Sequence, residues 1–239
     1  MKIFSNFEEL NKFLQLDSSI KGNHLTIGGF DGIHSGHHVI LNSLPVKRVK
    51  NERNIVITFE KPPKAVLYPE HFAGLLLSLE DKIKLLSNYP IDILLLIPFD
   101  KKFAQITYDD FLTNYLEKIC RPISINVGIN FRFGFKQQGT PFLMQNYFKS
   151  KDVNVIVHKA IVNGKLEETI SSSLIRNDIR QGNIKRANTF LNRAFHIKGR
   201  VRSGEKRGKA IGYPTANIEP IEKMLTIPKE AVYAGISVI

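Results

Sequence analysis

The stretch HLTIGGFDGIHSGHH, His24 to His38, decides the fold. Its first part, His24–Phe30, reads as a buried strand running into a glycine turn, and a helix follows from about Gly36 to Leu44. Gly28, Gly29 and Gly32 let the backbone turn tightly and approach a ligand closely. His34 and His37 flank Gly36 in the pattern H-x-G-H, which places two imidazoles one turn apart at a helix N-terminus. Such an end offers unpaired N–H groups and the positive pole of the helix dipole, both suited to phosphate. The dipole contributes only ~0.3–1 kcal/mol at an exposed site. A preorganised donor aimed at developing charge contributes ~10²–10³ in rate, so the histidines must carry most of any catalysis. The plainer alternatives are a glycine turn with surface histidines, or a zinc site. Zinc needs three or four ligands, and His24, His71, His158 and His196 show no ligand spacing.

Working outward, strand and helix signals alternate. Phe7, Leu10, Phe13 and Leu14 fall at helical spacing behind a capping Asn6. Further apolar strands are expected at Asn54–Phe59, Ile91–Pro98, Ile123–Val127 and Val153–His158. Helices are expected at Leu79–Asn88, at Tyr108–Cys120 behind Thr107, and after Thr140-Pro141. Near-continuous apolar strands separated by helices predict an α/β fold, a doubly wound parallel sheet covered on both faces. Ligands in such folds bind outside the carboxyl ends of the strands, here the loops after Ile27, Phe59, Pro98 and Val127. Beyond residue 180 the texture changes. Asn183–Leu191 still reads as a helix, Lys198–Gly212 is rich in glycine and base, and Ala231–Ile239 suggests β structure. The predicted division is residues 1–185 and 186–239.

The 239 residues allow one or two domains with an ordinary core. Hydrophobic content of 43% and charged content of 23% exclude long-range disorder, collagen and a disulfide scaffold. No apolar run approaches membrane-spanning length, and the N-terminus MKIFSNFEEL does not read as a signal peptide. A single cysteine, Cys120, fits a reducing compartment, and the expected location is cytoplasmic. The net charge is +12, and residues 180–239 hold 12 Lys/Arg against 4 Asp/Glu, a surplus of +8. That field favours anionic partners, although a basic solvated face would look the same. No recognition helix or aromatic RNA motif accompanies it, which argues against nucleic acid.

The second notable stretch is ISSSLIRNDIR, Ile170–Arg180. Ser171–Ser173 supply hydroxyls at a helix start, and Arg176 on the first turn can fork a phosphate. Together, five blocks in order resemble the prokaryotic bifunctional riboflavin kinase/FAD synthetases of the H-x-G-H nucleotidyltransferase superfamily. They are TIGGFDGIHSGHH (26–38), TFEKPP (58–63), VGINFRFG (127–134), ISSSLIR (170–176) and GRVRSGEKRGKAIGYPTANI (199–218). The resemblance implies a Rossmann-like domain that transfers AMP from ATP to FMN, giving FAD and pyrophosphate. It is followed by the start of a β-barrel riboflavin kinase.

On that resemblance His34, His37 and Arg176 would be catalytic. Gly28, Phe30 and Asp31 would shape the ATP pocket, while Ser172, Ser173 and Arg176 would grip the β- and γ-phosphates. Asn130, Phe131 and Phe133 would border the flavin. Alternating Phe131, Phe133 and Phe135 would equally suit a strand face packed on the core. Mg²⁺ would be held by phosphates rather than by the transferase domain. In the kinase-like block, Thr215 and Asn217 would belong to an ATP/Mg²⁺ site.

Two departures stand out. The second block usually reads TFEPHP, and here Lys61-Pro62 replaces Pro-His, so Lys61 is expected to supply the charge. The barrel segment is too short to close, since each edge strand needs a partner. Riboflavin kinase activity is therefore expected to be absent or severely impaired, with the segment either poorly ordered or paired with another copy in a homo-oligomer. The alternatives are another H-x-G-H nucleotidyltransferase and a non-catalytic flavin or nucleotide sensor.

Overall fold

A computed structural model describes residues 1–17, 19–47, 51–163, 168–203, 212 and 215–238. The glycine- and base-rich stretch 204–211 and Pro214 lie outside these described residues. Six strands form the main sheet: β1 (Lys2–Phe4), β2 (Gly22–Ile27), β3 (Glu52–Phe59), β4 (Ile93–Ile97), β5 (Pro122–Gly128) and β6 (Asn154–His158). All neighbours are parallel, in the order β1-β4-β3-β2-β5-β6. From β2 the chain winds one way through β3 and β4, and then the other way through β5 and β6. The switch point therefore lies between the ends of β2 and β5, where this class of sheet opens a crevice.

The strands are apolar on both faces because helices cover both. Ile55 and Ile57 join one core with Leu25, Ile27, Leu95, Ile125 and Val127. Val56, between them, points to the other face with Leu94 and Leu96. Helix α1 (Phe7–Leu16) and the π-helical run Phe111–Cys120, which continues α5 (Tyr108–Asp110), pack on the first face together with α6 (Pro141–Phe148). On the second lie α2 (Ser35–Asn42) and α4 (Leu79–Leu86), with the short α3 (Pro63–Leu67) between them in sequence. The expected caps form. Asn6, Thr107 and Thr140 accept from the backbone N–H groups of Glu9, Asp110 and Leu143, a contribution of about 1 kcal/mol each.

The ribbon β7 (Val162–Asn163) with β8 (Glu168–Thr169) leads into α7 (Ser172–Arg180), and α8 (Ile184–Leu191) follows. These two helices share a third core with Leu76. β9 (Gly199–Arg202) pairs antiparallel with β10 (Asn217–Pro220) in a separate two-stranded sheet. The β structure expected at Ala231–Ile239 does not form over 231–238. That stretch finds no ladder partner among the described residues, and an unpaired strand leaves its backbone groups to water, with Val232, Ile236 and Val238 fully exposed. Among the described residues no helix is long and apolar enough to cross a membrane.

Candidate active site

A cavity of about 730 Å³ opens at the switch point. Gly28, Gly29 and Phe30 line it from β2, Gly128–Gly134 from β5, and Ser171–Ser173 from the start of α7. His34 and His37 face it from the first turn of α2. The loop between β2 and α2 is strained. Phe30 and Ile33 both have positive φ, 45° and 38°, while fully buried. A β-branched residue there costs of order 1–3 kcal/mol, so the surroundings must over-determine the loop.

They do so through its carbonyls, each held by a side chain from a distant element. Lys82 of α4 donates to Gly29 O at 2.7 Å, and Thr58 of β3 donates to the same oxygen at 3.2 Å. Ser172 donates to Asp31 O at 2.7 Å. Arg193, just past α8, donates to Gly32 O at 2.7 Å and to Ile33 O at 3.3 Å. The Phe30 ring tucks under Gly28, where a Cβ would meet it at 2.9 Å, and meets His37 edge-on at 5.2 Å.

The histidine rings stack, with centroids 3.7 Å apart and planes 20° from parallel. His34 is the N-cap of α2, and its Nδ1 accepts from Gly36 N at 3.2 Å. The proton of the neutral ring is thereby assigned to Nε2, which makes the free edge a donor. Burial, aided by the charges of Arg176 and Arg193 and by His38, pushes the His34 pKa down to about 4. Burial also holds His37 well below the usual histidine range, with His34, Lys82 and His38 adding to it. Both rings are neutral at pH 7. His37 Nδ1 is buried with no hydrogen-bond partner among the described residues.

No carboxylate lines the cavity among the described residues, whereas Lys64, Arg132, Lys136 and Lys159 do. One end is aromatic. Phe59, Phe99 and Phe103 meet edge-on with centroids 5.3–6.1 Å apart, and Pro62, Pro63 and Tyr68 continue that wall. Phe131 and Phe133 stack at 5.5 Å and also line it. Phe133 is at the same time a core residue against Phe111. Asn130 lines the rim.

Not every expected residue reaches the cavity. The side chains of Asp31 and Arg176 pair behind it, with Nη2 to Oδ2 at 2.5 Å and both nearly buried. Arg176 Nε also donates to Gly74 O at 2.6 Å, while Leu76 N donates to Asp31 Oδ1 at 3.0 Å. Arg176 is thus near enough to lower the His34 pKa, but two of its N–H groups are committed elsewhere. Lys61 is exposed and does not line the cavity. Lys64 does, because Pro62 and Pro63 turn the chain into α3 and carry the charge three residues further on. Thr215 and Asn217 lie at the exposed ribbon β9–β10, away from the cavity lining.

Known proteins are similar to this chain in sequence and fold. Residues 16–174 match the FAD synthetase family model and residues 191–239 the riboflavin kinase model. The chain is 31% identical over 235 residues to the bifunctional riboflavin kinase/FMN adenylyltransferase of Escherichia coli K12, covering 98% of this chain and 72% of that protein. The chain belongs to this bifunctional family. The Haemophilus influenzae member is 32% identical over 237 residues, covering 98% and 73%. The solved structure of a macrolide-efflux protein from Streptococcus pneumoniae superposes with a TM-score of 0.81 and 28% identity, over 97% of this chain and 72% of that one.

Within this chain, the FAD synthetase match contains both histidines, Asn130 and Lys82. Arg193, which grips the histidine loop, falls in the riboflavin kinase match. So does Met224–Thr226, whose backbone bonds Leu75 at 2.7 and 2.8 Å and so braces the loop that receives Arg176. Arg193, Lys82, Lys64 and His158, which also lines the cavity, were not singled out from sequence.

Proposed function

We propose that this chain transfers the AMP moiety of ATP to FMN. An oxygen of the FMN phosphate attacks the α-phosphorus of ATP, the bond from that phosphorus to the bridging oxygen breaks, and the β- and γ-phosphates leave as pyrophosphate. One observation carries the reading. Two neutral, stacked imidazoles sit at a helix N-terminus in a cavity with a basic rim, an aromatic end and no lining carboxylate among the described residues. Phosphoryl-type transfer needs positioning and charge stabilisation more than a protein nucleophile. The His34 Nε2–H and the His37 ring, which both line the cavity, would meet the non-bridging oxygens of the α-phosphoryl group. As negative charge develops there, both imidazoles become more basic and their hydrogen bonds strengthen. The aromatic end with Phe131 and Asn130 suits the flavin, and Ser172 and Ser173 at the start of α7 suit the departing phosphates, with Arg176 behind them contributing its positive charge.

Mg²⁺ fits this site as a companion of the triphosphate, because the walls offer hydroxyls, an amide and neutral imidazoles. It would neutralise phosphate charge there. The match to a riboflavin kinase model favours a flavin over other acceptors of the superfamily. Residues 191–239 match the riboflavin kinase model, and the kinase half is put to a riboflavin assay. A cytoplasmic location follows from the same reading, as does reliance on soluble ATP, FMN and riboflavin.

Incubation with FMN, ATP and Mg²⁺, followed by chromatography of FAD and pyrophosphate, tests the assignment. A parallel incubation with riboflavin tests the kinase half. His37→Ala lowers FAD formation by about a hundredfold or more with the fold intact. Wild-type turnover in that variant removes the role assigned to His37.

A further inference from the structure

The β2–β3 ladder ends at Ile27↔Ile57 and the β3–β4 ladder at Phe59↔Ile97. Past those pairs the strands diverge into separate loops. The β2 loop carries the stacked histidines, and the end of β3 carries Phe59 into the aromatic wall. Thr58 of β3 holds Gly29 O at 3.2 Å, and one side chain from a third element, Lys82 of α4, bonds both loops. Lys82 Nζ donates to Gly29 O at 2.7 Å and to Phe59 O at 2.8 Å, 53 and 23 residues away in sequence. It is only 5% exposed and makes no ion pair among the described residues. Burial pushes its pKa down to about 8, with Asp31 pulling the other way. A buried ammonium without a counter-ion is a costly way to satisfy two carbonyls, and a neutral donor would suffice if stability alone were at stake.

We propose that Lys82 is a positioning residue for adenylyl transfer: by tying Gly29 to Phe59 it sets the distance between the histidine half of the cavity and the aromatic half. The inference rests on the adenylyl-transfer reading. If the triphosphate occupies the histidine half and the flavin the aromatic half, that distance decides how the attacking phosphate oxygen meets the α-phosphorus. A misplacement of about 1 Å costs on the order of a hundredfold in rate, while each substrate still binds its own half. Lys82 does not itself line the cavity and reaches it only through the backbone of Gly29 and Phe59, so its effect passes through the two loops.

The test uses the full chain and the variants Lys82→Met, Lys82→Gln and Lys82→Arg, each assayed at a temperature where circular dichroism shows it fully folded. FAD formation is measured with ATP and FMN varied separately. Lys82→Met is expected to lower kcat by about ten- to a hundredfold, with both KM values within about threefold of wild type. Lys82→Gln, which can hold one carbonyl, falls between. Lys82→Arg, whose planar fork can hold both, recovers most of the loss. Should Lys82→Met not fold, the ordering of Gln, Arg and wild type carries the same test. A wild type that makes no FAD refutes the adenylyl-transfer reading. An active wild type alongside folded variants with unchanged kcat, or with raised KM and intact kcat, overturns the positioning role.

Discussion

Replacing His34 by asparagine should make the protein less stable at pH 7.5 and more stable at pH 4.5. The folded ring titrates at about 4, pushed down by burial, whereas a free histidine titrates near 6.5. The folded state therefore refuses a proton that the unfolded chain accepts. Stability is full above pH 6.5 and falls with acidification until the folded ring itself charges near pH 4. At about 1.4 kcal/mol per pKa unit, the whole penalty is about 3 kcal/mol and that at pH 4.5 about 2.5 kcal/mol. Asparagine does not titrate and is among the best N-caps, so the hydrogen bond now made to Gly36 N is replaced. The variant does lose the ring stacked on His37, a cost of about 1 kcal/mol at every pH.

The two stability curves should therefore cross. Urea melts at pH 7.5, 6.5, 5.5 and 4.5 should show wild type ahead by about 1 kcal/mol at the first and the variant ahead by about 1–2 kcal/mol at the last. His37 is held low by the same burial, but His34 is among the groups that hold it down, so in the variant His37 takes up a proton more readily and the crossing moves to higher pH. A difference that stays constant from pH 7.5 to 4.5 would refute the claim that His34 is buried and neutral.

Three further outcomes are expected. ATP binding near pH 6 should take up protons and near pH 8 take up none, because the phosphates raise both depressed histidines. Calorimetry in buffers of different ionisation enthalpy measures this, and uptake unchanged between the two pH values contradicts it. Gly134→Ala should raise KM for FMN more than KM for ATP. Gly134 has φ of 72°, and a Cβ there would lie 2.5 Å from the Tyr108 backbone, so the Phe131–Phe133 loop must shift; equal changes in both KM values would count against it. Asp31→Asn should weaken ATP binding and lower the unfolding free energy by a few kcal/mol, read by titration and urea melts; tighter binding would reverse the account of Arg176.

The histidine loop was legible because its chemistry is local. A strand, a glycine turn and H-x-G-H specify one another within 15 residues, and helical or strand periodicity located β3 to β6 and the longer helices to within a few residues. The three-residue edge strand β1, α3 and the β7–β8 ribbon are too short to carry a period. The caps Asn6, Thr107 and Thr140 were equally local. What the sequence withheld was long-range pairing. Nothing near Lys82 or Arg193 marks them as holding Gly29 or Gly32, because the partner is a backbone carbonyl, which has no sequence signature. The three serines illustrate the limit. Composition announces a helix start at Ser171–Ser173, but only the fold divides the labour. Ser171 caps, accepting from Leu174 N, Ser172 holds Asp31 O, and Ser173 faces the cavity. Similarly, Lys61 and Lys64 are indistinguishable as charges until two prolines turn one of them outward.

Arg176 poses the last electrostatic question, since gripping a departing pyrophosphate and pairing with Asp31 compete for one guanidinium. Magnitudes decide it. Pulling Arg176 away would strand Asp31, which is only 8% exposed on its side chain, and breaking such a buried pair costs about 3–5 kcal/mol. A new charge-assisted hydrogen bond contributes about 1.5–3 kcal/mol. A full swing to the phosphates is therefore at best neutral. An Arg176 that stays on Asp31 and Gly74 loses nothing and still has N–H groups without partners among the described residues. In that geometry Arg176 would act on the phosphates through its charge from behind Ser172 and Ser173, and Asp31 would hold the guanidinium in place rather than withhold it. This is why Asp31→Asn is expected to weaken ATP binding, although it removes a negative charge beside an anionic ligand.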